Sequence, residues 1–102
     1  MQIINNEQIE FLPGLHGAKK GHGTLLQVKF FTPWIYTEWY LAEYDPETRI
    51  GWGWIRGFED RWGYFNLDEL ENLQGPYGLK VQRDSNFEPM CFSNSGSCRF
   101  TL

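Results

Sequence analysis

Four side chains in this 102-residue sequence could ligate a soft metal: His16, His22, Cys91 and Cys98. A tetrahedral zinc centre needs that number of nitrogen and sulfur donors brought together. Their spacing argues against it, because neither pair has the usual knuckle gap of about two to four residues. The two ends of the chain would also have to meet. The reading is therefore no metal and no cofactor, with the histidines as loop residues and the cysteines as reduced thiols, too few for a disulfide framework.

A second group could do acid-base work or hydrogen-bond a ligand: Glu38, Glu43, Asp45, Arg83 and Asp84. Carboxylates close to an arginine are suited to both tasks. On strands and turns, however, such residues ordinarily face water, and no pairing of acid, base and nucleophile can be read from their spacing. No phosphate-binding loop, dinucleotide fingerprint, zinc-protease helix or nucleophile elbow is present. A non-enzymatic protein is expected.

Rings are the third resource. Five Trp, five Tyr and eight Phe are many for this length, and a small core needs most of that area to remove enough surface from water. Rings interleaved with Lys29, Arg49, Arg56 and Arg61 could stack the bases of a single strand. The remaining use is recognition of another protein, for which exposed aromatic residues beside charges are the usual anchors. Trp34, Tyr36, Phe58 and Tyr77 lie in or next to expected turns and are the candidate anchors.

Net charge of −4 and a pI near 5.0 disfavour a duplex DNA partner, whose affinity comes from neutralising phosphates. No apolar stretch is long enough to cross a bilayer, and the first ten residues lack a basic start with a long apolar run. No membrane partner and a cytoplasmic location are expected.

The elements that must position these residues form a single α+β domain over residues 1–102, a small antiparallel sheet of about four strands with two short helices. Asn5 can cap the first helix, with Ile4 and Ile9 as its staple and Pro13-Gly14 as its end. Residues 14–23 read as a mobile glycine-rich loop. Alternation over residues 24–31 buries Leu26, Val28 and Phe30 on one face, and residues 36–44 suit a central strand with Trp39 and Leu41 opposed to Tyr40 and Ala42. Asp45-Pro46-Glu47-Thr48 is a turn. In the returning strand, residues 49–55, Ile50, Trp52 and Trp54 share a face while Gly51 and Gly53 leave the other bare. Either neighbouring groups fill that space or it is a groove.

Residues 62–65 form a short strand leading to the second helix, capped by Asn66 with Glu69 completing the box and Phe65 and Leu70 as staple. The helix runs to about Leu73, and Gly75-Pro76 stops it. Residues 79–83 alternate again as an edge strand, and residues 90–102 read as an irregular tail.

Several blocks in this order resemble the domain of unknown function 2958 (DUF2958) family of bacteria, phages and plasmids. They are Val28-Lys29-Phe30-Phe31-Thr32-Pro33, Glu38-Trp39-Tyr40 with Glu43-Tyr44-Asp45, Trp62-Gly63-Tyr64-Phe65 with Leu67 and Glu69-Leu70, and Gly78-Leu79 with Arg83-Asp84, Phe87 and Pro89. Together they span residues 28–89. The resemblance implies an accessory or counter-defence protein of a mobile element and assigns no activity. The sequence departs from the family's usual pattern in the loop with His16 and His22, in its extra tryptophans and in the tail from Cys91, so no role of those residues is inherited.

The functional expectation is a small binding module that occupies a host or rival protein, possible targets including a nucleic-acid-handling enzyme with a basic groove. Single-stranded nucleic-acid binding is the alternative, and a metal-dependent enzyme ranks third.

Overall fold

The computed structural model describes Ile4, Leu12, Gly14, residues 25–91, and the backbone of Cys98 and Arg99. The first expected helix, most of the glycine-rich loop, and His16 and His22 lie outside the described residues. Strands dominate what is described: β1 (Leu25–Leu26), β2 (Val28–Phe31), β3 (Glu38–Asp45), β4 (Ile50–Arg56), β5 (Arg61–Asn66), β6 (Gln82–Arg83), β7 (Met90–Cys91) and β8 (Cys98–Arg99). One α-helix, α1 (Leu67–Asn72), and one 3-10 turn (Pro76–Gly78) accompany them. The fold is thus mostly β among the described residues, with a main sheet of five strands where about four were expected; the second expected helix is present as α1.

Five strands make the main antiparallel sheet in the order β5-β4-β3-β2-β6, and β1, β7 and β8 make a second. The run at residues 24–31 is not one strand. Gln27 separates β1, which pairs with β7, from β2, which pairs with β3 and β6. The tail expected to be irregular supplies β7 and β8, joined in register as Met90 with Arg99 and Cys91 with Cys98. Two-residue strands of this kind leave no periodic signal, because two residues cannot display alternation.

Alternation along the central strands builds two apolar layers. One gathers Ile4, Val28, Phe30, Leu41, Tyr44, Leu67, Leu70 and Val81. The other holds Leu26, Tyr40, Ala42 and Trp52, with Trp54, Trp62, Phe87 and Met90 against it. Both faces of β3 are therefore buried, as suits a strand whose residues 39–42 are all apolar. A bulge between Leu41 and Glu43 shifts the register against β4 and turns the carboxylate of Glu43 into the buried set.

The two bare glycines of β4 are filled by neighbours, not by a groove. A Cβ on Gly53 would stand 1.8 Å from the Tyr40 carbonyl oxygen, and one on Gly51 would stand 2.3 Å from Leu41 Cδ1. The close strand approach beside the bulge requires glycine at position 53.

Local signals hold where short-range bonds decide. Asp45 accepts from the Glu47 amide at 3.0 Å and from the Thr48 hydroxyl at 2.9 Å, closing the β3–β4 turn. Arg49 completes it with φ of 62°, and its guanidinium reaches Asp68 at 2.9 Å and Glu71 at 2.5 Å on α1. The Asn66 side chain accepts from the Asp68 amide at 2.7 Å, as a helix cap does. Buried Leu67 and Leu70 seat the helix on the first layer.

Candidate functional site

Three connections arrive at one end of the main sheet. The β2–β3 turn, residues 32–37, leaves from Phe31, which faces Glu38 across the strand pair. The β4–β5 turn, residues 57–60, leaves from Arg56, which is the register partner of Glu38. The segment from α1 returns here as well, because β6 begins with Gln82 opposite Phe31. Contacts tie the three together: the Trp34 ring lies over Gly75, and Thr37 Cγ2 lies 3.4 Å from where a Gly57 Cβ would be.

This end displays large apolar side chains. Ile35 is 59% and Tyr36 62% exposed, while Phe58 and Tyr77 are fully exposed. The four sequence-nominated anchors therefore divide. Tyr36, Phe58 and Tyr77 point outward on separate turns, whereas Trp34 is half-buried against the first core layer and acts as the foot on which two turns meet. Tyr77 has a left-handed backbone, φ 58° and ψ 26°, which costs a non-glycine residue about 1–2 kcal/mol. The loop holding it is closed by bonds from the Gly75 amide to Leu79 O at 2.7 Å and from the Leu79 amide to Pro76 O at 3.1 Å.

Beneath the β2–β3 turn lies an open groove of about 520 Å³, lined by residues 31–38 together with Lys29 and Asp84. The turn is fixed by the Thr32 hydroxyl, which donates to the Ile35 carbonyl, and by the Thr32 amide, which donates to the Thr37 carbonyl at 3.1 Å. At the groove floor Lys29 Nζ sits 2.9 Å from Glu38 Oε2 and 3.8 Å from Asp84 Oδ2. The Tyr40 hydroxyl donates to Glu38 Oε1 at 2.8 Å. The Arg56 guanidinium lies 5.8 Å from the centroid of the Tyr36 ring.

Burial alone would push the Lys29 pKa down and the Glu38 pKa up. Their mutual bond, the Tyr40 hydroxyl on Glu38 and the surrounding charges outweigh it, so Lys29 is held above and Glu38 below its ordinary range. Tyr40 is raised by burial first and by its bond to the Glu38 carboxylate second. All three are held in their neutral-pH states, an arrangement that fixes charge in place.

The expected polar group is brought together only in part. Glu38 and Asp84 share the groove, but Glu43 is buried opposite Trp52, and Arg83 is in register with Phe30, on the opposite side of the alternation from Lys29. Asp45 serves the β3–β4 turn, at the other end of β3 from Glu38. Lys29 is the residue that sequence reasoning missed for this site, having been noted only as a partner for nucleic acid. Glu38 and Tyr40, two apart on a strand, carried a legible signal of a shared face. Cys91 is disulfide-bonded, which corrects the expectation of a reduced thiol and removes it as a thiolate ligand. Among the described residues no group of three metal-ligating side chains gathers, and no helix is long and apolar enough to cross a membrane.

Fold and site together define a small, mostly β protein with a fixed ion cluster and an apolar, turn-built end. The chain belongs to the family described as protein of unknown function (DUF2958), whose pattern matches residues 4–94. The match extends beyond the blocks at residues 28–89 and takes in His16 and His22. Neither the curated proteins nor the solved structures give a match.

Proposed function

We propose that this chain is a non-enzymatic recognition module, encoded on a mobile element and acting in the cytoplasm by occupying a host or rival protein. One observation carries the reading: Ile35, Tyr36, Phe58 and Tyr77 are exposed on three turns that contacts hold at one end of the sheet. Large rings presented on a rigid base are the form that interface anchors take, because little side-chain entropy remains to be lost on binding. The strained backbone at Tyr77 supports the same reading, since a conformation that costs stability is retained where it presents a side chain usefully.

An acidic chain suits a partner with a basic surface, and a nucleic-acid-handling protein of the host or of a rival element is the counter-defence form of the proposal. Affinity capture from the native host tests it. Wild-type protein should retain a specific partner that Tyr36→Ala with Tyr77→Ala loses, and retention should weaken as salt rises. Equal capture by wild type and variant would refute this surface. Cytoplasmic action has its own check against the Cys91 disulfide: a reducing compartment disfavours such a bond, so Cys91 trapped as a disulfide in intact cells would refute that location.

Single-stranded nucleic-acid binding is the second reading, favoured by Tyr36 exposed beside Arg56. It is weakened by the use of rings on each other: Trp52 and Trp62 stack at 4.9 Å and Trp54 meets Trp62 edge-on at 5.3 Å. Saturable quenching of tryptophan emission by an oligonucleotide at micromolar levels would bring it forward.

A further inference from the structure

Resting on the protein-recognition reading, we infer that the groove floored by Lys29, Glu38 and Asp84 takes an arginine side chain of the bound protein. Its volume of about 520 Å³ falls in the range of about 300–1,000 Å³ that small ligands occupy. One long side chain with its flanking backbone fits within it.

Two carboxylates and one ammonium line the groove, and the Arg56 guanidinium, across the strand pair from Glu38 and beside Tyr36, balances the remaining charge. The two carboxylates are not equivalent. Glu38 is 16% exposed and accepts from both Lys29 and Tyr40, which leaves it little capacity for a newcomer. Asp84 is 30% exposed; its Oδ1 accepts from the Asn86 amide at 2.9 Å, and its Oδ2 lies 3.8 Å from Lys29, near the limit of an ion pair. A cation entering the groove meets an oxygen whose present partner is distant.

Anions meet the opposite situation. Lys29 already holds Glu38 at 2.9 Å, and a phosphate would have to displace that bond beside two carboxylates. Among cations, guanidinium is favoured over ammonium because it is planar, donates in a fork and lies flat on rings. Phe31, Trp34 and Tyr36 line the groove. Tyr36 already accepts one guanidinium, that of Arg56, at 5.8 Å from its centroid, within the range of an effective cation–π contact.

The test is an amide chemical-shift titration of the full chain with N-acetyl-arginine amide, with N-acetyl-lysine amide and inorganic phosphate as comparisons. The arginine probe should move the amides of Ile35, Tyr36 and Asp84 with saturation in the millimolar range, as its small size dictates. The lysine probe should bind more weakly. Asp84→Asn, which keeps an oxygen for the Asn86 amide, should weaken the arginine probe about tenfold. Lys29→Met, which removes the competing ammonium, should tighten it. Amide dispersion reports that each variant is folded.

The inference is overturned if phosphate moves these amides and arginine does not, if Asp84→Asn leaves the arginine response unchanged, or if no probe gives a saturable response. Partner capture separates the two levels of the reading. Capture that survives Asp84→Asn but is lost in Tyr77→Ala would sink the groove assignment while leaving the recognition surface standing.

Discussion

The indole of Trp34 occupies the place where a side chain on Gly75 would have to be: a Cβ there would stand 2.2 Å from Trp34 Cδ2 and 2.4 Å from Cε2. This contact couples the β2–β3 turn to the loop that carries Tyr77. Gly75→Ala must therefore displace the ring, and overpacking of this kind costs about 1–3 kcal/mol. Chemical denaturation should show that loss, and partner capture should fall with it because two anchor turns lose their common base.

Tyr77 allows stability and binding to be separated. Its ring is fully exposed and its backbone is left-handed, so Tyr77→Gly should leave the midpoint of unfolding unchanged or raise stability by up to about 1 kcal/mol. The same change should weaken partner binding by about tenfold or more if the ring is an anchor. A stability loss without a binding loss would show that the ring serves the fold.

Gly53 tests the strand packing. A methyl group at that position would meet the Tyr40 carbonyl oxygen at 1.8 Å, and the next nearest atoms, Tyr40 C at 2.9 Å and Ala42 N at 3.1 Å, are also β3 backbone, which leaves nothing flexible to give way. Gly53→Ala should cost more than about 3 kcal/mol or prevent folding, as judged by circular dichroism of the purified variant. A well-folded Gly53→Ala protein would refute the register of β3 against β4.

The Lys29–Glu38–Tyr40 cluster makes stability depend on pH at both extremes. Glu38 is depressed in the folded state, so its contribution is full above the ordinary carboxyl pKa and is lost as pH falls below about 4. Lys29 and Tyr40 are raised, so theirs is full below their ordinary values and is lost as pH climbs past about 10. Glu38→Gln should flatten the acid limb of a plot of unfolding midpoint against pH, and should cost about 1–3 kcal/mol at neutral pH through its half-buried partners. An unaltered acid limb would assign the loss to other carboxylates.

Cys91 gives a chemical test. As a disulfide cysteine it should resist alkylation in the native protein and react only after a reductant is added, with the modified peptide read by mass spectrometry. Alkylation without reductant would restore it as a free thiol.

Much of the candidate surface was legible because exposure at turns follows from local chemistry. Pro33 and Gly75-Pro76 mark where strand and helix must end, and Tyr36 and Tyr77 near them are exposed, as is Phe58 in the β4–β5 turn. Trp34 was not separable from them, because its burial depends on the absence of a side chain at Gly75, forty-one residues away. Lys29 was likewise hidden: only strand pairing brings it against Tyr40, and only the return of β6 brings Asp84 to it.

By itself the sequence determined the alternating central strands, the Asp45 turn, the Asn66 cap and the family, since each rests on neighbours in the chain or on a motif of fixed order. Tertiary structure alone decided that the bare glycines of β4 are filled, that Gln27 divides one run between two sheets, and that the β2–β3 turn meets two distant turns, one through Trp34 and one through Thr37. The physical reason is range. Hydrogen bonds within a turn or cap are set by residues two to four apart, whereas a sheet's edges, bulges and shared end are set by pairings that close long loops and leave no local mark.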